Sequence, residues 1–178
     1  MNAGALTQLV AQSSGRVHQA EMDITDDRSI ASAAATVGKV LAGWGLNVLV
    51  RLTWTPPFRT NVTSAHMVMS AFLALSKHGT LKKVINIFST FGSIARASRS
   101  SFAREGFIFM IISPGWVKTD LGGNNVELTP EQSATAVLVP ISSATSAYNS
   151  KFYDTYVDGL DFHDGSEVPW QLPGSFGA

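Results

Sequence analysis

Three short, predominantly apolar runs punctuate the chain: Leu46-Asn47-Val48-Leu49-Val50, Val84-Ile85-Asn86-Ile87-Phe88 and Phe107-Ile108-Phe109-Met110-Ile111-Ile112. Continuous rather than alternating apolar character predicts strands buried on both faces, as in parallel sheets covered by helices. Arg16 to Met22 is a weaker strand candidate that ends at Asp23-Ile24-Thr25, and Phe152 to Val157 an edge candidate near the C-terminus.

Between these runs the apolar period lengthens to that of a helix. Thr25 is placed to cap a helix from about Asp26, with Asp26 and Asp27 near the positive end of its dipole. That helix crosses an Ala-rich stretch to Leu41 and should stop at Gly43 or Gly45. From Thr60 to Lys77, Val62, Ala65, Met69, Phe72 and Leu73 recur at three- and four-residue spacing, predicting a buried stripe. Thr129-Pro130-Glu131-Gln132 predicts a helix start with Thr as cap, Pro in the first turn and Gln closing a capping box. Strand and helix patterns alternate, so the expected class is α/β with a mainly parallel sheet.

Composition narrows the choice. The 178 residues suit one domain on the guide of about 100–200 residues per domain. Hydrophobic residues at 45% and zero net charge exclude a disordered chain. The 13 basic residues balance 13 acidic ones and form no cluster, so no nucleic-acid or acidic-membrane partner is expected. Absence of Cys removes disulfides and thiolate metal sites, and no metal is expected. The longest uncharged run, Gln132 to Ser150, is broken by Ser133, Thr135, Pro140, Ser142, Ser143 and Thr145, whereas a spanning helix needs about 20 predominantly apolar residues. No basic residue precedes Arg16 and no compact apolar segment follows, so no secretory signal is expected and the location expected is cytoplasmic.

Two segments suggest chemistry: Ile85-Asn86-Ile87-Phe88-Ser89-Thr90-Phe91-Gly92-Ser93-Ile94 and Ile112-Ser113-Pro114-Gly115-Trp116-Val117-Lys118-Thr119-Asp120. With Asp23-Ile24-Thr25, Thr60-Asn61-Val62, Asp164-Gly165 and Val168-Pro169-Trp170, they resemble the short-chain dehydrogenase/reductase family, in particular its small carbonyl-reductase-like members. The similarity runs from about Leu6 to Trp170. It implies a Rossmann-like doubly wound fold, NAD(P) as cofactor and a small-molecule carbonyl or alcohol as substrate. Ser89 then matches the catalytic serine at a strand's carboxyl end, where its hydroxyl would donate to a carbonyl oxygen gaining charge. Asn61 matches the helix asparagine of a proton relay. Pro114, Gly115, Val117 and Thr119 match the loop under the nicotinamide, and Asp23 and Ile24 the acidic turn touching the adenine. Each has a plain structural alternative: a strand-ending serine, a helix-start asparagine, a loop Pro-Gly, and an Asp-x-Thr turn leading into a helix.

Three parts of the family pattern are missing. None of the 15 glycines gives Gly-x-Gly-x-x-Gly, so the loop that brings backbone to a pyrophosphate is absent. The Asn-Asn-Ala-Gly expected after Val50 is replaced by Arg51-Leu52-Thr53-Trp54. Tyrosine stands only at 148, 153 and 156, none followed at the fourth position by Lys, so the Tyr-x-x-x-Lys proton donor is lost. Ser101 running directly into Phe102 suggests an in-frame loss there. The expected architecture is therefore residues 1–178 as one truncated Rossmann-like domain, without the first two strands and two helical segments. In the family's strand order the strand at Arg16 to Met22 would be left beside a gap, to be closed by a new pairing with Leu46 to Val50 or by another chain. The expected function is an impaired oxidoreductase. The alternatives are an inactive binding or assembly relative, forming a homo-oligomer through the helix at 60–77, or the product of a degraded or misjoined gene.

Overall fold

The computed structural model describes residues 3–52, 64–87, 105–119, 126 and 128–169. The chain forms two compact units, one built from Met1–Leu46 and Thr55–His78, the other from Asn47–Trp54 and Gly79–Ala178.

The first unit is helical. Helix α1 (Ala3–Gln12) was not anticipated from the pattern; its half-buried residues are Leu6 and Val10, four apart on one face. It closes on Ser13, whose buried hydroxyl donates to the Val10 carbonyl at 2.8 Å and accepts the Val17 N–H at 3.1 Å. Residues 16–22, where a strand was expected, form no helix or strand and pair with no strand. Polar His18, Gln19 and Glu21 leave that segment no continuous apolar face to bury.

Helix α2 (Asp27–Leu41) starts one residue later than expected. The Thr25 hydroxyl is donated to Asp23 Oδ1 at 2.7 Å, and Asp26 caps the helix instead by accepting the Arg28 N–H at 3.0 Å. The helix ends at Ala42, left-handed at φ 48°, followed by Gly43 at φ 95°. Helix α3 (Ser64–Lys77) packs against α2, and a Cβ on Gly38 would stand 3.3 Å from Leu75 Cδ2. Gly38 permits that close approach. The buried stripe of α3 is Val68, Phe72 and Ser76, with Met69 and Leu73 only half-buried, a face rotated from the expected one. The expected contribution of Val62 lies outside the described residues, as does any side-chain statement for Ala65.

The second unit holds the sheet. Strands β1 (Val48–Leu52), β2 (Lys83–Ile87), β3 (Ile108–Ile112) and β4 (Lys151–Tyr153) lie in the order β1-β2-β3-β4, all parallel. Register is even: Arg51 lies beside Asn86, Asn86 beside Ile111, and Ile111 beside Phe152. The three apolar runs are thus strands, displaced by at most two residues from their expected bounds, and the edge candidate near the C-terminus contributes β4. Among the described residues β1 has no ladder partner on its outer side, so the new pairing with residues 16–22 does not form.

Helix α4 (Pro130–Ser143) covers one face of this sheet, where Val137, Ile141 and Ala144 pack on Ile85, Met110 and Ile112. Its start is as the sequence predicted: Thr129 Oγ1 accepts the Gln132 N–H and Gln132 returns to the Thr129 N–H. Lys83, buried among these groups, donates from Nζ to the carbonyls of Ile141 and Ser142, both at 2.9 Å. It satisfies two of the carbonyls that every helix C-terminus leaves open. Among the described residues no helix is long and apolar enough to cross a membrane.

Candidate functional site

Strand β3 is flanked on both sides, and the chain leaves its carboxyl end into Ser113-Pro114-Gly115. Carboxyl ends of parallel strands are where open α/β sheets hold ligands. The exit is tightly guided. The Ser113 N–H donates to the Tyr153 carbonyl at 2.8 Å, prolonging the β3–β4 pairing by one bond. The Pro114 carbonyl accepts the hydroxyl of Ser133, buried in α4, at 2.7 Å. Ser133 is in position because the capping box and Pro130 set where α4 begins.

Gly115 is left-handed at φ 74°, and a Cβ there would stand 2.5 Å from Leu128 Cδ1 and 2.7 Å from His163 Cε1. Only glycine meets both conditions. Beyond it, Val117 forms a parallel bridge with Leu128. The Trp116 carbonyl and Lys118 N–H turn toward Leu128, at 3.3 and 2.8 Å. The N–H and carbonyl of Val117 therefore face the opposite side. There the Thr119 hydroxyl reaches the Val117 carbonyl at 3.4 Å, a long and weak contact. Trp116 is 62% exposed.

The floor of this loop comes from the chain after β4. Residues 154–168 fold back through antiparallel bridges between Tyr153 and Glu167 and between Tyr156 and Asp164. That return places buried His163 against Gly115, with Nδ1 at 3.4 Å from Asp154 Oδ2. Asp154 Oδ1 accepts the Thr155 N–H at 2.8 Å. Beside it Thr155 is fully buried, and its hydroxyl has no partner among the described residues. Nothing in the sequence pattern singled out Asp154, Ser133 or His163. Their roles depend on contacts with residues distant in the chain, and periodicity carries no such signal.

Of the residues expected from sequence, Pro114, Gly115, Val117 and Thr119 share this one loop. Asp23 and Ile24 belong to the helical unit. The exposed Asp23 carboxylate takes both the backbone N–H and the hydroxyl of Thr25, at 2.8 and 2.7 Å, and its own N–H donates to Ser29 Oγ. These bonds, the backbone one foremost, hold its carboxyl below the usual carboxylate range. Such local bonding is the helix-leading role that sequence left open for Asp23. Ser89 and Asn61 lie outside the described residues. Among the described residues no three His, Asp or Glu side chains gather as a metal site would need.

No family model matches the chain. It is 25% identical to an uncharacterized oxidoreductase of Schizosaccharomyces pombe over 206 residues, covering 86% of this chain and 78% of that protein. It is 30% identical to a short-chain dehydrogenase/reductase of Arthrinium sp. over 175 residues, covering 70% of this chain and 65% of the relative. A 27% match to the C-signal protein of Myxococcus xanthus covers 64% of the chain and 76% of that protein. Among solved structures, the carbonyl reductase Sniffer of Drosophila melanogaster superposes with a TM-score of 0.76 at 21% identity, covering 95% of this chain and 84% of the other. The NADPH-bound carbonyl reductase from chicken fatty liver superposes at 0.71 with 23% identity, covering 86% and 81%. The curated relatives place the chain's similarity in the short-chain dehydrogenase/reductase family, and the solved structures share its fold.

The alignment to the yeast oxidoreductase spans 206 residues yet occupies 86% of a 178-residue chain, so it contains positions that have no counterpart here. The described residues suit the nicotinamide end of a dinucleotide: outward backbone N–H and C=O of Val117, the Thr119 hydroxyl, and a turn held close by Gly115. They include no glycine-rich cradle for a pyrophosphate.

Proposed function

We propose that the chain is an NAD(P)-dependent oxidoreductase of the short-chain type, transferring hydride between the dinucleotide and the carbonyl or alcohol of a small molecule, with reduced efficiency. The observation that carries this reading is the Pro114-Gly115 loop, held at the carboxyl end of β3 by Ser133, Leu128 and His163. When bound, the nicotinamide supplies the hydride. Val117 and Thr119 would present backbone and hydroxyl groups to its carboxamide. Ser89 would donate a hydrogen bond to the substrate oxygen as negative charge develops.

The reduced efficiency follows from the proton inventory. Tyr148, Tyr153 and Tyr156 lack a lysine four residues on, so none carries the Tyr-x-x-x-Lys pattern of a proton donor. Weaker nucleotide binding follows from the missing phosphate loop. Titration calorimetry with NADPH and NADH, followed by turnover at 340 nm against a panel of small aldehydes and ketones, tests the proposal. Dissociation constants in the high micromolar range with slow turnover are expected. Absence of binding at millimolar NADPH would overturn it.

The lost Tyr-x-x-x-Lys also favours a second reading, in which the chain assembles with a copy of itself or with a full-length relative and does not turn over substrate. The helix at 60–77 is the candidate surface; on its described part His66, Ser70, Ala74 and Lys77 are exposed. Light scattering of the chain alone and mixed with such a relative distinguishes this reading, which predicts a defined larger species and no nucleotide binding.

A further inference from the structure

Gly115 has no lateral freedom. Leu128 and the imidazole of His163 both stand where its side chain would be, so the ring's position sets how close the turn lies to the body of the unit. The ring is in turn fixed at several points. The His163 N–H donates to the Leu160 carbonyl at 2.9 Å, and its carbonyl accepts the Val157 N–H at 2.9 Å. Its Nδ1 faces Asp154 Oδ2 at 3.4 Å, with only 8% and 15% of the two side chains exposed. Asp154 is itself immobilised: its N–H donates to the Ser166 carbonyl at 3.0 Å and its second oxygen accepts from Thr155. Lys118 of the loop and Asp158, Asp161 and Asp164 of the returning segment are all exposed, so Asp154 is the charged group that meets the ring in the interior.

We propose that Asp154 and His163 form a positioning pair that sets the Pro114–Thr119 loop, and through it the groups offered to the nicotinamide. The effect on nucleotide rests on the functional reading above; the coupling of Asp154 to Gly115 does not. Nδ1 faces the carboxylate at a charge-contact distance, and the Nε2 edge is presented to Gly115. Asp154 thus acts on a loop it does not touch, in the way an outer carboxylate orients a histidine in many functional sites. Simple space-filling by His163 would give Asp154 no influence on the loop.

The experiment follows backbone amide resonances of Gly115, Trp116 and Thr119 in the whole chain, with NADPH affinity measured alongside. Asp154→Asn, which preserves shape, and His163→Gln are expected to displace the same loop resonances, and the double variant to displace them no further than His163→Gln alone. His18→Gln, an exposed position in the helical unit, is the control and should leave them in place. Each of the two single variants is expected to raise the NADPH dissociation constant by at least roughly fivefold, the double variant by no more. Unmoved loop resonances in a folded Asp154→Asn variant would overturn the pair. So would additive effects in the double variant. Should His163→Gln fail to fold, Asp154→Asn decides the matter by itself. If the natural chain binds no NADPH, the functional reading fails, while the resonances still decide the coupling.

Discussion

Lys83 Nζ and the Ile141 carbonyl lie 2.9 Å apart, joining the first residue of β2 to the last turn of α4. A lysine inside an apolar core is costly unless its ammonium is fully engaged, and here it meets the negative end of a helix dipole. Lys83→Met keeps the stem but leaves the Ile141 and Ser142 carbonyls unmet. The expected loss is about 1–3 kcal/mol. A lower urea midpoint with unchanged slope checks it; an unchanged midpoint would show that Lys83 adds no net stability.

At Gly115 the expected outcome combines strain and collision. Gly115→Ala places a methyl at φ 74° against Leu128 and His163, so the loop must move. A left-handed non-glycine costs on the order of 1–3 kcal/mol before the contacts are counted. Chemical denaturation measures the loss, and it should exceed that of Gly159→Ala, at φ 79° in open space.

Thr155 offers the opposite sign. Its hydroxyl is fully buried and unpartnered among the described residues. Thr155→Val removes the polar atom while conserving volume. Stability is expected to stay level or rise by up to about 1 kcal/mol, the scale of relieving an unsatisfied buried group. A fall of that size in the denaturation midpoint would count against this account.

The pH dependence at Asp23 follows from its bonds. Thr25 lowers the carboxyl's pKa in the folded state, so the unfolded chain takes up the proton first as pH falls. Its contribution to stability is therefore present above the ordinary carboxylate range and lost as pH drops through the lowered folded value. Thr25→Val removes the hydroxyl donor and keeps the N–H, so the Asp23 titration should move upward but stay below an unpaired carboxylate. Carboxyl carbon resonances followed against pH test this, and a titration that does not move would contradict it.

The extent to which the fold was legible can be argued from single elements. Helix α4 was readable because its signal is local: Thr129, Pro130 and Gln132 act on one another within one turn. Strands β1, β2 and β3 were readable because a short, predominantly apolar run without helical spacing has few other uses in a chain this size. The start of α2 was misplaced by one residue because Thr25 and Asp26 are both competent caps, and Asp23 takes the hydroxyl of Thr25. The residues at 16–22 have some apolar character, but a strand exists only where a neighbour accepts its ladder, and none does. Helix α1 was missed because only Leu6 and Val10 mark its inner face.

By itself the sequence determined the α/β class, the positions of the apolar strands, the loop that resembles a nicotinamide contact, and that these 178 residues hold neither a Gly-x-Gly-x-x-Gly nor a Tyr-x-x-x-Lys pattern. All of these depend on residue identity at short spacing. Only the tertiary structure decided that Ser133 holds Pro114, that Lys83 closes the end of α4, and that Asp154 and His163 lie beneath Gly115. These contacts join distant segments, and no local rule brings such segments together. The chain after β4 must fold back over the sheet's carboxyl end before the loop acquires its floor.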